Sequence, residues 1–177
     1  MRSRKRTAAR EAIDELRKAA EAWPDDARIR RELAAVLVLA NDTEGARPIL
    51  EDLLQRDHGS TTLALLLSET LLKAQEPAKA IPLLESVVRR YPKLLPAQSA
   101  LGRAYVDAGQ MAKAIAPLQA ARESDQDGSV HYQLARAYRA TGQPDLASQA
   151  LARFQEIRKA ADAEARSLQE EFQITPP

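Results

Sequence analysis

Apolar and small side chains recur along the chain at intervals of 33 or 34 residues. The first such pair is Leu33-Ala34, and it is followed at these intervals by Leu67-Ser68, Leu101-Gly102 and Leu134-Ala135. Other positions keep the same register in all four copies, namely Leu37, Leu71, Tyr105 and Tyr138; Ala46, Ala80, Ala114 and Ala147; and Leu50, Leu84, Leu118 and Leu151. A fixed period of this length is typical of proteins built from stacked repeats.

Each copy begins with a predicted helix, which we name helix A. Leu33 and Leu37 lie four residues apart and therefore share one helical face. A turn is predicted at one equivalent position per copy, at Asn41, Gln75, Gly109 and Gly142. Glycine and asparagine suit the left-handed conformation that ends many helices, and Gln75 suits it less well.

A second helix, helix B, is predicted after each turn. Pro77 and Pro144 follow their turns by two residues and suit the first turn of a helix. Pro48, Pro82 and Pro117 fall inside B helices, where each removes one backbone hydrogen bond and tends to bend the helix. Since no stretch alternates as a strand would, the chain is predicted to be all-α.

These paired helices resemble the tetratricopeptide repeat (TPR) family. The resemblance rests on the small and apolar positions above and on Pro24 and Pro92, which close earlier units. It implies a right-handed α-solenoid of antiparallel helix pairs, in which no unit buries its apolar face alone. Four TPR-like repeats are predicted, at residues 27–60, 61–94, 95–127 and 128–160.

The ends of the array depart from the full repeat. Residues 7–26 match only the second half of the pattern and are predicted to form a half repeat, an orphan B helix. Residues 1–6 are predicted to be a basic tail. The helical pattern continues past residue 160, so residues 161–177 are predicted to be a capping helix, or an extension of the last B helix, with a short tail.

Composition narrows the function. The net charge of +1 gives no global field for nucleic acid, and the longest apolar stretch, Leu33 to Ala40, has eight residues against about 20 in a membrane span. We therefore expect neither nucleic-acid binding nor membrane insertion. The chain has no cysteine, which fits a reducing compartment, and the cytoplasm is the default expectation.

The sequence gives little support for a catalytic site or a metal-binding site. The two histidines, His58 and His131, are 73 residues apart, and neither has a histidine or carboxylate three or four residues on. The acidic loop at Asp125 and Asp127 lacks the further ligands of a calcium loop and is expected to cap the next helix A. The chain is predicted to be neither an enzyme nor a cofactor-binding protein.

The family resemblance implies that the A helices line a concave groove for a protein or peptide partner. The groove residues that it implies here are Arg28, Arg31, Val38, Leu65, Glu69, Leu72, Arg103, Val106, Tyr132, Arg136 and Arg139. Arginines outnumber carboxylates in this set, and arginine pairs bidentately with carboxylates. An acidic amphipathic helix or an acidic extended segment is therefore the expected ligand. Alternatively, the leucines of the second helix A pack against neighbouring helices and line no trough.

Two further possibilities concern other partners. Some TPR proteins grip an acidic chaperone tail with a carboxylate clamp, but the corresponding residues here are Arg31, Ala35, Leu66, Pro96 and Ala100. Only the first is basic, so this ligand is not expected.

Self-assembly through the repeat ends is the alternative function, because Ile13, Leu16 and Ala20 of the half repeat could dock on another copy.

Overall fold

A computed structural model describes residues 2–174, with side chains described for residues 10–168. The described residues form nine α-helices and one 3₁₀ helix, and they contain no strand. The helices are α1 (Arg2–Ala22), α2 (Ala27–Leu39), α3 (Thr43–Arg56), α4 (Thr61–Lys73), α5 (Pro77–Arg90), α6 (Leu95–Asp107), α7 (Met111–Ala121), α8 (Ser129–Ala140) and α9 (Pro144–Ile174). The 3₁₀ helix covers Arg122–Ser124. The all-α solenoid prediction is confirmed.

The chain divides into two compact units, Met1–Arg90 and Tyr91–Pro177. In the first unit, α1 packs on α2, and the pairs α2–α3 and α4–α5 follow as A and B helices. The second unit contains the pairs α6–α7 and α8–α9. Within each unit, the A helices of consecutive pairs also touch, α2 with α4 and α6 with α8.

The predicted turn positions all adopt the left-handed conformation. Asn41 and Gln75 have φ of 63° and 60°, and Gly109 and Gly142 have φ of 74° and 75°. The next residue in each turn donates its backbone N–H to a carbonyl in the preceding helix, as Glu76 does to Leu71 at 2.8 Å. This is the Schellman arrangement, which satisfies carbonyl groups that a helix end leaves unpaired.

The recurring small and apolar positions form the core of each unit. Ala46, Ala80 and Ala114 of the B helices are fully buried, and so are Leu50 and Leu84. Pro77 and Pro144 are the first residues of α5 and α9. Pro48, Pro82 and Pro117 lie inside α3, α5 and α7, the B helices in which the sequence places them.

The first and last helices extend beyond the repeat segments predicted for them. The helix α1 begins at Arg2, within the segment predicted as a basic tail. The side chains of residues 1–9 and all of residues 175–177 lie outside the described part of the chain. The helix α9 runs without a break for 31 residues, so the segment after residue 160 extends the last B helix. None of the helices in the described residues combines the length and hydrophobicity needed to cross a membrane.

Candidate functional site

The predicted groove residues of the first unit differ in accessibility. Arg28, Arg31 and Glu69 are exposed, and Leu65 is half-buried. Val38 and Leu72 are at most 4% exposed, because they pack inside the unit. The expectation that these two side chains line the groove is therefore wrong, because they are buried in the core of the unit.

The leucine-rich helix α4 uses most of its apolar side chains for packing. Leu63, Leu67 and Leu71 are buried, and Leu65 and Leu66 are half-buried. The alternative in which the extra leucines pack against neighbouring helices is therefore favoured over an open apolar trough. The most exposed large apolar side chain of the A helices in this unit is instead Leu39, at 84% exposure.

Lys73 connects the ends of the two A helices in the first unit. Its Nζ donates to the carbonyl oxygen of Val38 at 2.8 Å and lies 3.2 Å from a carboxylate oxygen of Glu69. A cation at a helix C-terminus interacts favourably with the helix dipole and with the unpaired carbonyl groups. Glu69, a predicted groove residue, is thus held by a neighbour on its own helix.

The second unit carries three arginines on its A helices. Arg103 and Arg136 occupy equivalent positions, each two residues after the recurring leucine of its helix, and Arg139 follows one turn later. Arg136 donates to Oε1 of Gln133 at 3.0 Å. Arg103 is half-buried, and its Nε is buried without a hydrogen-bond partner among the described residues. We name these three residues the arginine cluster.

None of the carboxylates in the described residues forms an ion pair with the arginine cluster. No ion pair joins Arg103, Arg136 or Arg139 to a described side chain, whereas Arg30 pairs with Asp52, and Arg47 pairs with Glu51 and Glu76. Arg30 and Arg47 are thus neutralised within the chain, whereas the three arginines of the cluster have no such partner among the described residues. Such a surface suits an anionic ligand.

An aromatic pair lies on the same unit. Tyr132 in α8 and Phe154 in α9 have ring centroids 5.5 Å apart with planes inclined by 49°, and Tyr132 is nearly half exposed. Val106, the remaining predicted groove residue, is only 2% exposed and packs in the core. The sequence-based expectation that Val106 contributes to the groove surface is therefore wrong, while Tyr132 does offer an accessible ring.

A largely buried histidine–carboxylate pair joins the first turn of α8 to the loop before it. The Nδ1 of His131 lies 2.6 Å from Oδ2 of Asp125, and the backbone N–H of His131 donates to the same oxygen at 2.9 Å. The Asp125 side chain is 1% exposed. His131 was expected to have no partner because no histidine or carboxylate lies three or four residues after it, whereas Asp125 lies six residues earlier, across a turn.

The same loop caps α8, as predicted. The carboxylate of Asp127 accepts from the backbone N–H of Ser129 at 2.9 Å. Hydrogen bonds from the Ser129 hydroxyl and backbone N–H lower the pKa of Asp127 below its usual value. Gly128 has φ of 83°, and a Cβ there would lie 2.6 Å from the Phe154 ring, so only glycine fits this turn.

A cavity of about 250 Å³ in the first unit lies between the end of α3, the start of α4 and the face of α5. Leu54, Leu83 and Val87 supply its apolar lining, and His58 and Arg90 lie at its polar side. Arg90 Nη1 donates to the carbonyl oxygen of Gly59 at 3.4 Å, which holds the α3–α4 loop. No group of three or more His, Asp or Glu side chains in the described part is placed to hold a metal ion.

Comparisons with known proteins agree with this geometry. A family model described as tetratricopeptide repeat matches residues 5–70 and 71–133, and a second tetratricopeptide repeat model matches residues 129–158. The solved structure of MamA 41-end from Desulfovibrio magneticus RS-1 is 23% identical and has a TM-score of 0.77, over 91% of this chain and 92% of that one. A MamA structure from strain AMB-1 is 22% identical, with a TM-score of 0.75 over 88% and 93%. At these identities the likeness shows the fold. No curated protein sequence matches the chain.

Proposed function

Since the chain belongs to the tetratricopeptide repeat family, we propose that it is a protein-interaction scaffold that binds a segment of a partner protein on the exposed face of its A helices. The observation that carries this proposal is the arginine cluster of the second unit. Arg103, Arg136 and Arg139 form no ion pair with any described residue, although Arg30 and Arg47 do.

A carboxylate ligand would supply the hydrogen-bond acceptors and the negative charge that the arginine cluster lacks within the chain. A guanidinium group presents several N–H donors in one plane and matches both oxygens of a carboxylate. Glutamate or aspartate side chains of a partner would neutralise Arg103 of α6 and the two exposed arginines of α8, the helix that α6 contacts.

The remaining surface of the second unit favours an amphipathic partner. Tyr132 presents a ring beside the cluster on α8, and its contact with Phe154 fixes the orientation of that ring. An aromatic side chain held in this way supplies apolar contact area at a low cost in conformational entropy. We therefore propose an acidic helix or an acidic extended segment with apolar residues on one side as the ligand.

Charge reversal tests the proposal directly. Fluorescence anisotropy would measure binding of a labelled amphipathic peptide rich in glutamate, with a lysine-rich peptide of the same apolar pattern for comparison. We expect the double variant Arg103→Glu with Arg136→Glu to bind the acidic peptide at least tenfold more weakly than the unchanged chain. We also expect added salt to weaken binding, because the arginines are exposed or half-exposed.

A matched control uses arginines on other elements. Arg89 in α5 and Arg122 in the 3₁₀ helix are exposed, and their double charge reversal changes net charge by the same amount. This control should leave peptide affinity unchanged, and circular dichroism should show that both double variants keep their helix content. Equal loss of affinity in both double variants, or no loss in either, would contradict the assignment of the site.

A further inference from the structure

The cavity of the first unit lies where one repeat has a smaller side chain than the others. Ala64 precedes the recurring Leu67 by three residues and is one of the residues that line the cavity. The same position of the other repeats holds Arg30, Gln98 and His131. All three of these side chains are larger than a methyl group and polar. The alanine of this one repeat therefore leaves space that a larger side chain takes up in the others.

In the second unit, the side chain at this position bonds to the loop before its helix. Gln98 donates from Nε2 to the carbonyl oxygen of Pro92 at 2.8 Å. His131 Nδ1 lies 2.6 Å from Oδ2 of Asp125. Each of these bonds spans six residues, and the residue six positions before the alanine is His58, which also lines the cavity. An alanine cannot make such a bond, so a ligand in the cavity would lie where the equivalent side chains lie in the second unit.

The walls of the cavity are mostly apolar, and its volume is that of a small molecule. Leu54 of α3 and Leu83 and Val87 of α5 line it. A cavity of about 150 Å³ with apolar walls holds benzene, so a volume of about 250 Å³ suits a ligand of roughly ten non-hydrogen atoms. Sites for small ligands typically combine such walls with a few polar groups that fix the orientation of the ligand.

The polar side of the cavity carries a positive charge. Arg90 lines it, and Nη1 of Arg90 donates to the carbonyl oxygen of Gly59 at 3.4 Å, which places the guanidinium group beside the α3–α4 loop. Ser60 and Thr61 add hydroxyl groups. None of the described residues that line the cavity is a carboxylate, and Asp57, which precedes the loop, is not among them. This side of the cavity therefore favours an anionic group, and a carboxylate matches the guanidinium group in shape.

We propose that this cavity binds a small monocarboxylate with an apolar tail of about seven carbon atoms. The tail lies beside Ala64 and against the leucine and valine side chains of the walls, and the carboxylate lies at the Arg90 side. The site uses residues of the first unit and none of the arginine cluster. It therefore goes beyond the proposed function and does not depend on it.

Isothermal titration calorimetry of the full-length chain tests the proposal with octanoate as the probe. Octan-1-ol and octylammonium have apolar tails of similar length and differ in charge. We expect octanoate to bind about fivefold to tenfold more tightly than octan-1-ol, and octylammonium to bind most weakly, because the polar side of the cavity is positive. No measurable binding of octanoate, or equal affinity for all three probes, would overturn the proposal.

Substitution of Ala64 tests the position of the site. Ala64→Gln introduces the side chain that α6 has at this position, and Ala64→Leu fills the same space with an apolar group. Each should weaken octanoate binding about tenfold or more, because the tail and the new side chain would overlap. Ala78→Gln, at an exposed residue of α5, is the matched control and should leave the affinity unchanged. Unchanged octanoate affinity in a variant of Ala64 that keeps its helix content by circular dichroism would refute the proposal.

Substitution of Arg90 tests the charge. Arg90→Gln should weaken octanoate binding about fivefold or more and leave octan-1-ol binding unchanged, whereas Arg90→Lys should retain part of the preference for octanoate. Arg89→Gln removes the same charge from the adjacent exposed arginine, which does not line the cavity, and should have no effect. Equal losses from Arg89→Gln and Arg90→Gln would contradict a specific contact with the carboxylate.

A final probe distinguishes a small acid from the end of a partner chain. N-acetylglycyl-leucine carries a free carboxylate on a peptide backbone, and we expect it to bind more weakly than octanoate. Tighter binding of this dipeptide would assign the cavity to the C-terminus of a partner protein and would overturn the proposal. Binding of the acidic peptide reports on the proposed function separately and should be the same in the variants of Ala64 and in the unchanged chain.

Discussion

A Cβ atom on Gly102 would lie 2.3 Å from Cγ of Leu118. The helices α6 and α7 therefore approach each other more closely at this point than an alanine would permit. Leu118 is 1% exposed and cannot move into solvent. The equivalent positions of the other repeats hold Ala34, Ser68 and Ala135, so the contact between α6 and α7 is closer than the repeat pattern requires.

We predict that Gly102→Ala destabilises the protein, although alanine is the better helix former. The substitution gains about 0.5–1 kcal/mol of helix propensity. It also forces a methyl group into the Leu118 side chain, and overpacking of this kind costs about 1–3 kcal/mol. Urea denaturation should therefore show a net loss of stability.

A double-mutant cycle identifies the cause. Leu118→Ala alone should cost about 2–5 kcal/mol through the cavity that it leaves. When Leu118 is already alanine, Gly102→Ala should become neutral or stabilising, because the crowded atoms are gone. The same loss of stability on either background would mean that contact with Leu118 is not the reason for the glycine.

Gln75 offers the opposite prediction. It holds φ of 60° at a turn where two other repeats have glycine, and a side chain in this region costs about 1 kcal/mol. Gln75→Gly should raise the free energy of unfolding by up to about 1 kcal/mol, measured by urea denaturation. The reverse change, Gly109→Gln, is the control, since a Cβ at Gly109 meets nothing within 4 Å and only its φ of 74° opposes a side chain. If Gln75→Gly destabilised the protein instead, the glutamine side chain would contribute more to stability than its left-handed backbone conformation costs.

The fold was largely predictable because its determinants are local and repeated. Leu33, Leu67 and Leu101 recur at the spacing of the repeat, and turn residues of suitable type follow most of them. Even Gln75, a poor turn residue by its chemistry, adopts the left-handed conformation because the register of its repeat demands it. Consistent signals at several levels are what make a sequence specify one fold.

The site was less predictable because the face of an A helix is not divided sharply between core and groove. Val38, Leu72 and Val106 occupy positions assigned to the groove by family resemblance, but their side chains are buried. Helix periodicity alone cannot make this distinction, since it depends on how closely the next A helix packs. The charged residues Arg28, Arg136 and Arg139 are exposed, as their cost of burial requires.

The His131–Asp125 pair is predicted to stabilise the start of α8. Asp125→Ala would remove the acceptor of two hydrogen bonds from His131, one from its ring and one from its backbone. Leaving such buried donors unpaired costs about 1–3 kcal/mol, which thermal denaturation should detect. Glu123→Ala, at an exposed residue of the preceding 3₁₀ helix, should change stability by less than about 0.5 kcal/mol. Equal effects of the two substitutions would contradict a specific role for the pair.

Acid should weaken the cap of α8 through Asp127. Hydrogen bonds from the hydroxyl and backbone N–H of Ser129 lower the pKa of this carboxyl in the folded state. A group with a lowered folded-state pKa contributes stability above its unfolded value of about 3.9, and this contribution is lost as the pH falls through the folded-state pKa. The urea midpoint should therefore fall as the pH drops below about 4, and Asp127→Asn should make this fall shallower.

Asp162→Asn, at an exposed residue of α9, should leave the pH profile as it is in the unchanged chain. If Asp127→Asn and the unchanged chain lost stability along the same curve, the acid sensitivity would have to arise from other carboxyl groups, such as Asp26, which caps α2 and whose pKa is lowered by hydrogen bonds from the backbone N–H groups of Arg28 and Ile29.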